Sequence, residues 1–547
     1  ELLQGSVTGA DGKRHEISPE EINIMDAGWA GSAPRYPAGK TLVASFPAVE
    51  IGSTISYRIR RRRKGRPFAS FYKSFRSHDP VINKRVIFER PPSMDAEMVI
   101  PFGAEYIHTT NYTHKGKLVT EWSAGPVEPV KQESSLPPWW SFNPSVAVST
   151  GNWREFGATL GKTLVKAAKQ DREAARLAQA TVKDIRDNRK KLEAIRDLAA
   201  VRIRNAGPAF PALPLNEISG ADTTLKDGYG NSADRAVLLY SMLDATGFRP
   251  EFVAVSGSTA ITRLEKTRAD IPARWEFRRI LVRTRRRLGL AEGEYIYLND
   301  TDQYAPLGAT RHDGNTGLLL PEGRRTVIRA VKPELRHTEY AVSIDRDGSA
   351  EITLKRLLHG MHFAREHRRM TEMTPEERDR HFQELAAGIS QSAELQGEPD
   401  INFKGYPGKI TFTVHTPDFA AIENGYLYFD LPSSLAGFLR LYADERSNPM
   451  YFNSKQSRRI VMDIAIKGKY DVEHLPPEMR LLEKGGGLLN VRTSARLSAD
   501  GEGALIHLEL EAETLPAILD PDLYPAVLEV KEQLLHKKSG AVLLKKR

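Results

Sequence analysis

One stretch joins a tight turn to residues that could do chemistry: DGYGNSADRAVLLYSMLDATG, residues 227–247. Its pattern, Gly-x-x-x-x-x-Ala-x-Leu-Leu-x-x-x-Leu-x-x-x-Gly, predicts a glycine turn running into an amphipathic helix. A nucleophile at the start of such a helix meets unpaired N–H groups and the positive end of the helix dipole, which lower the pKa of a thiol. The residue two places after Gly230 is Ser232, and the whole chain has no cysteine. A serine hydroxyl is a far weaker nucleophile and depends wholly on a base. Without one, Ser232 is expected to be a helix N-cap, its oxygen accepting from an N–H one turn in.

Three other constellations are weaker. His359, His362, Glu366 and His367 in HGMHFAREH suggest a metal, but the HxxxEH spacing matches no zincin pattern. They are expected to be surface residues of a strand-to-helix junction. The stretch GATLGKT, 157–163, has three residues between its glycines, where a phosphate-binding loop needs four and a preceding strand. It falls inside a helix that begins at Trp153. Carboxylates abound, but no glycosidase pair can be read from spacing along the chain. No metal or cofactor is expected.

Lys and Arg number 79 against 70 Asp and Glu, a net charge of +9. The excess is clustered in RIRRRRKGR, which holds Arg58, Arg60, Arg61, Arg62, Arg63, Lys64 and Arg66, and in TRRRLG at 284–289. Solvated hairpin tips or edge strands that block unwanted sheet pairing explain such clusters. So does contact with an anionic polymer or membrane surface. Nucleic acid is disfavoured, because no recognition motif accompanies the charge. If residues 58–66 form a strand, alternate arginines point to opposite faces.

The lack of cysteine excludes disulfides, cysteine catalysis and Cys-type zinc sites, and it fits a bacterial protein outside the cytoplasm. No run of about 18 apolar residues exists that could span a membrane. The chain opens at Glu1 on a strand, a Gly-Asp-Gly turn and a second strand, so an export leader and further upstream sequence are expected to precede it.

Short runs such as TLVASFPAV, STISYRIRRRR, RVIFERPP, AEMVIPF and LVTEWSAG predict a β-rich domain over residues 1–145. Residues 131–152 read as a Pro- and Ser-rich connector anchored by Trp139 and Trp140. Helical spacing over 153–205 leads into the 227–247 helix and three strands, which together make a core over 146–332. Strands return over 333–547, with a hairpin turn at Asp345–Gly348. A helix interrupts them, its capping box formed by Thr374 and Glu377 with Pro375 at the first position. A short helix at LYPAVLEVKEQLLHK and the basic tail VLLKKR close the chain.

The order of these parts resembles a group of bacterial envelope proteins in which an uncharacterised β domain precedes a transglutaminase-like (papain-like amidohydrolase) domain. The resemblance rests on FPAVEIGSTISYRI (46–59), STGNWREFG (149–157), LKDGYGNSADRAVLLYSMLDATGF (225–248), YLNDTDQYAPLG (297–308) and LYPAVLEVKEQLLHKKSGAVLLKK (523–546). It implies a multidomain α+β fold: a β-sandwich-like N-terminal domain, a transglutaminase-like α+β core and a mostly β C-terminal domain. It also implies a Cys–His–Asp set, whose positions fall here on Ser232, Arg279 and Asn299, with Asp300 in place of Asn299 if the register slips by one.

Arginine stays charged at any workable pH and has no lone pair to take a proton. A pair of Arg279 with Asp300 or Asp234 could replace the lost catalytic contacts. The resemblance therefore implies a catalytically silent member, a binding or scaffolding component of the periplasm or cell surface whose partner is a protein or an anionic envelope polymer. The alternatives are a serine-type amidase or acyltransferase using Ser232 with a base such as His312, and a binder of acidic polysaccharide or lipid headgroups through the basic clusters.

Overall fold

The computed structural model describes residues 1–169, 172–499 and 503–547. It shows a multidomain α+β chain with β-rich N- and C-terminal regions flanking a core that contains helices.

In the N-terminal region two three-stranded antiparallel sheets share a small core of Phe75, Ile107, Trp122, Ala124, Val146 and Val148. The central strand of one sheet is Ser145–Ser149, buried along its whole length and paired with Ser70–Ser74 on one side and Glu97–Phe102 on the other. The sequence reading placed it in a connector, because a strand covered on both faces lacks the alternation that marks a half-buried one. The strand Thr54–Ile59 ends before most of the basic cluster. Arg58 alone of the seven lies in a strand, so the expected alternation of arginines across a sheet does not occur.

The core is organised around one buried helix. Four helices, α1 (Trp153–Lys169), α2 (Glu173–Val182), α3 (Asn188–Arg202) and α4 (Ala221–Asp227), pack against α5 (Ser232–Ala245). On α5, Ala233, Ala236, Val237, Leu238, Met242 and Leu243 are fully buried. The helix is covered on nearly all sides and lies inside the domain, where the sequence predicts an amphipathic helix with one apolar face. Against it lies a five-stranded antiparallel sheet in the order Ile296–Leu298, Phe277–Thr284, Glu251–Thr259, Asn315–Leu319, Arg324–Val327. Between the second and third of these runs a further helix, α6 (Thr262–Asp270). The glycines of GATLGKT have a packing role. A Cβ on Gly157 would lie 2.4 Å from the Cα of Gly323, and one on Gly161 would lie 2.8 Å from the Cα of Pro321.

The C-terminal region has an eight-stranded sheet. All neighbours are antiparallel except Arg336–Ile344 and Gln456–Lys467, which run parallel. The final residues Ala541–Lys546 form an inner strand of a separate four-stranded sheet rather than a loose tail. Two helices, α7 (Gly360–Glu372) and α8 (Pro375–Ala387), pack on the large sheet, the second with the capping box read from sequence.

The residues His359, His362, Glu366 and His367 are not the surface set expected. Glu366 is buried and His362 half-buried, and the ring of His367 stacks on Phe403 at 4.7 Å. No group of three metal-ligating side chains converges among the described residues.

Burial, reinforced by Arg336, Arg365, Arg356 and Arg369, holds the imidazole of His362 down at about 4. In an unfolded chain it titrates at about 6.5. Between those values the unfolded chain binds a proton that the folded chain does not, so stability falls as pH falls through this window. The urea midpoint should therefore drop less in His362→Gln than in the wild type between about pH 7 and about pH 4.5. An equal drop would place the acid sensitivity elsewhere.

Candidate functional site

The turn before α5 places Ser232 in the first turn of a buried helix. Asn231 caps the helix: its Oδ1 accepts from the N–H of Ala233 at 2.9 Å and of Asp234 at 3.3 Å. Ser232 is therefore the first helical residue and not the cap, which corrects the sequence reading. Asn is as good a cap as Ser, and here it stands one position earlier.

A segment of the N-terminal region fastens this turn. Tyr36 Oη donates to Asp234 Oδ2 at 2.5 Å and accepts from the N–H of Asn231 at 2.6 Å. Arg35 pairs with Asp227 at 2.6 Å and with Asp234 at 3.0 Å, its guanidinium lying 5.0 Å from the Tyr36 ring centroid and 4.9 Å from that of Tyr229. The N–H of Ser219 reaches the other Asp234 oxygen at 2.8 Å. The Asp234 side chain is 0% exposed. Burial pushes its carboxyl up, opposed by Tyr36, Ser219 and Arg35. Burial and the charge of Asp234 likewise push up the Tyr36 hydroxyl. The ring of Tyr36 sits over Gly207, where a Cβ would lie 2.2 Å from it.

The replacement pairs suggested by the sequence do not form. Asp234 is taken by Arg35 and Tyr36. Asp300 Oδ2 accepts from Thr310 Oγ1 at 2.5 Å and from the N–H of Arg311 at 2.8 Å. Arg279 is exposed on the strand Phe277–Thr284 and makes no ion pair among the described residues. Asn299 is buried at φ +88, a conformation that Asn tolerates better than most residues. Its Nδ2 donates to the carbonyl of Ser232 at 2.8 Å and to that of Ile280 at 2.7 Å. It thus orients backbone and ties the start of α5 to the neighbouring sheet.

His312 lies in this neighbourhood, 9% exposed, with Nδ1 3.2 Å from Asn315 Nδ2. Its Nε2 makes no hydrogen bond, to Ser232 or to any other described atom. Burial pushes its imidazole down; Asp300 opposes this, and Arg279 and Arg311 reinforce it. Arg235, one turn into α5, is lowered by burial and then by Arg279. Four buried polar atoms here have no partner: Arg235 Nε, Asn299 Oδ1, Asp300 Oδ1 and His312 Nε2. The surroundings of Ser232 thus hold two arginines and a histidine that does not touch its hydroxyl. Neither arginine has a lone pair to take the Ser232 proton, and the imidazole of His312 makes no hydrogen bond to that hydroxyl.

Of the basic cluster, Arg58, Arg60, Arg61, Arg62, Arg63 and Lys64 are exposed. Arg66 is engaged with the core, donating to the carbonyls of Pro211 and Ala212.

Sequence reasoning missed Asn231, Arg35 and Tyr36. Asn231 was legible as a cap-forming residue directly before the helix. Arg35 and Tyr36 lie almost 200 positions from Asp234, and nothing local marks them.

Residues 1–131 match DUF3857, a domain of unknown function with a solved structure. The fold resembles that of a candidate protease from Parabacteroides distasonis, at a TM-score of 0.63 and 16% identity, covering 100% of this chain and 89% of that one. A candidate cysteine protease from Cytophaga hutchinsonii aligns at a TM-score of 0.20 and 12% identity over 46% of this chain and 79% of its own. No curated protein matches the chain. The first likeness shows a fold shared with a bacterial protein of that description, here in a chain without a thiol.

Tyr36→Phe removes the hydroxyl that serves both Asp234 and Asn231, leaving buried groups unpaired, and should cost about 2 kcal/mol or more of stability. Asn299→Asp puts an acceptor against two carbonyl oxygens and should cost at least as much, about 2–3 kcal/mol. Urea denaturation checks both. Wild-type midpoints in either variant would contradict these roles.

Proposed function

We propose that this chain is a catalytically silent transglutaminase-like protein that serves as a binding or scaffolding component of the bacterial cell envelope. Its parts are a sandwich-like N-terminal domain that runs past the expected boundary at 145 to include the strand Ser145–Ser149, a core to about 332 and a β-rich C-terminal domain. Ser232, Arg279 and Asn299 occupy the positions of nucleophile, base and orienting residue. The observation that carries this reading is the isolation of Ser232: the base position holds arginine, and the nearby His312 Nε2 makes no bond to the hydroxyl. The exposed residues Arg58, Arg60, Arg61, Arg62, Arg63 and Lys64 offer a contact for an anionic envelope polymer.

Two experiments test this. In Ser232→Cys the thiol stands at a helix N-terminus with Arg279 nearby, so it should react with iodoacetamide. It should not turn over amide substrates, because Arg279 cannot deliver a proton to the leaving amine. Loss of the base from such a unit costs several powers of ten, so turnover should stay at background. Steady hydrolysis by this single variant would mean that a base already serves position 232, and the silent reading would fail. Separately, changing Arg61, Arg62 and Arg63 to Ser should weaken binding to isolated envelope polymer and flatten its salt dependence. Unchanged affinity at low salt would leave the cluster as a solvated surface.

A further inference from the structure

A second group of arginines, far along the chain from the basic cluster, lies in the C-terminal region. A cleft of about 490 Å3 runs between residues 334–336, 437–442 and 450–458. Arg336 and Arg458 stand in direct register on adjacent parallel strands. Both occupy the strand positions that continue, two residues on, into the buried face of the sheet: Arg336 precedes Thr338 and Tyr340, and Arg458 precedes Ile460 and Met462. Like charges facing each other across strands are destabilising. Arg440 adds a third cation on the cleft wall.

The charges around them are already committed. Glu334 pairs with Arg365 at 3.5 Å and Lys455 with Glu513 at 2.5 Å. Among the described residues, Arg336, Arg440 and Arg458 make no ion pair; Arg458 reaches only the hydroxyl of Ser433, at 3.4 Å. Burial lowers the pKa of Arg458; Tyr340 opposes this and Arg336 reinforces it. Arg336 and Arg440 are exposed and Arg458 is half-buried, and three cations without an ion pair on one concave site of ligand size fit an anion in that site.

Other features narrow the occupant. An extended peptide adding to a sheet needs a free strand edge. The short strand Met450–Phe452 pairs with Ala517–Leu519, and the N–H of Tyr451 is taken by the carbonyl of Ser135 at 2.6 Å. A lipid tail needs open apolar depth, but Phe438 and Leu439 on the wall are spent in the domain core at 8% and 5% exposure. The large apolar surface presented is Tyr442, 81% exposed. A flat ring beside forked cations suits a sugar face that carries carboxylates.

We infer that this cleft binds an acidic saccharide, its carboxylates held by Arg336, Arg440 and Arg458 and one sugar face against Tyr442. The inference stands whether or not the core is catalytically silent, and it concerns a site separate from residues 58–66.

Calorimetric titration of the full chain with trigalacturonate tests it, with maltotriose and inorganic phosphate as comparisons. Trigalacturonate should bind, and salt should weaken it. Maltotriose should not bind, and phosphate should bind more weakly than the saccharide. The double variant Arg336→Gln/Arg458→Gln should lose about ten-fold or more in affinity, and Tyr442→Ala a smaller amount. The double variant removes a like-charge pair, so its melting temperature should hold or rise. Should it fail to fold, the exposed Arg440→Gln gives the same reading of affinity. Absence of trigalacturonate binding, affinity unmoved in these variants, equal binding of maltotriose, or phosphate binding as tightly as the saccharide would each overturn the inference.

Discussion

The buried carboxylate of Asp234 is the fixed point around which the N-terminal region, the turn and the core are arranged. A charge removed from water is costly unless it is paired and hydrogen-bonded. Asp234 gathers Arg35, Tyr36 and the Ser219 N–H, drawn from two parts of the chain. Tyr36 also holds the N–H of Asn231, the residue that caps α5. One side chain therefore sets the entry to the central helix and docks the N-terminal region on it. Removal of either partner would expose the other's desolvation cost, so the two regions are coupled energetically as well as by contact.

That fastening bears on the chemistry of the turn. Three groups that could have been mobile are committed to structure. Asn231 caps the helix, Asn299 bridges the carbonyls of Ser232 and Ile280, and Asp300 holds Thr310 and the N–H of Arg311. Among the described residues no base is hydrogen-bonded to the hydroxyl of Ser232. The helix start still favours negative charge through the positive end of its dipole.

Much of this was legible in the sequence, and the failures share a cause. The capping box at Thr374 and Glu377 and the hairpin at Asp345–Gly348 are local signals, and both elements stand where they were read. The turn and helix at 227–247 were also legible, but the periodicity of α5 suggested one apolar face where packing covers nearly all of it. Strand Ser145–Ser149 and the closing strand Ala541–Lys546 were missed because inner strands lose the alternation that marks a strand locally. At the site, the residue types at 232, 279 and 299 were readable, and their lack of a base followed from chemistry alone. Their partners were not. Asp234 goes to Arg35 and not to Arg279, a choice made across some 200 residues of chain that no spacing rule reaches.

The central claim is that Ser232 has no base, and its reactivity in the unaltered protein measures this most directly. Incubation with a fluorophosphonate followed by intact-mass analysis counts activated serines, since only a hydroxyl deprotonated by a neighbour is acylated or phosphonylated quickly. The account predicts that the mass of the chain does not change. Stoichiometric addition of one phosphonyl group, mapped to Ser232, would contradict it and would place a working base within reach of that hydroxyl.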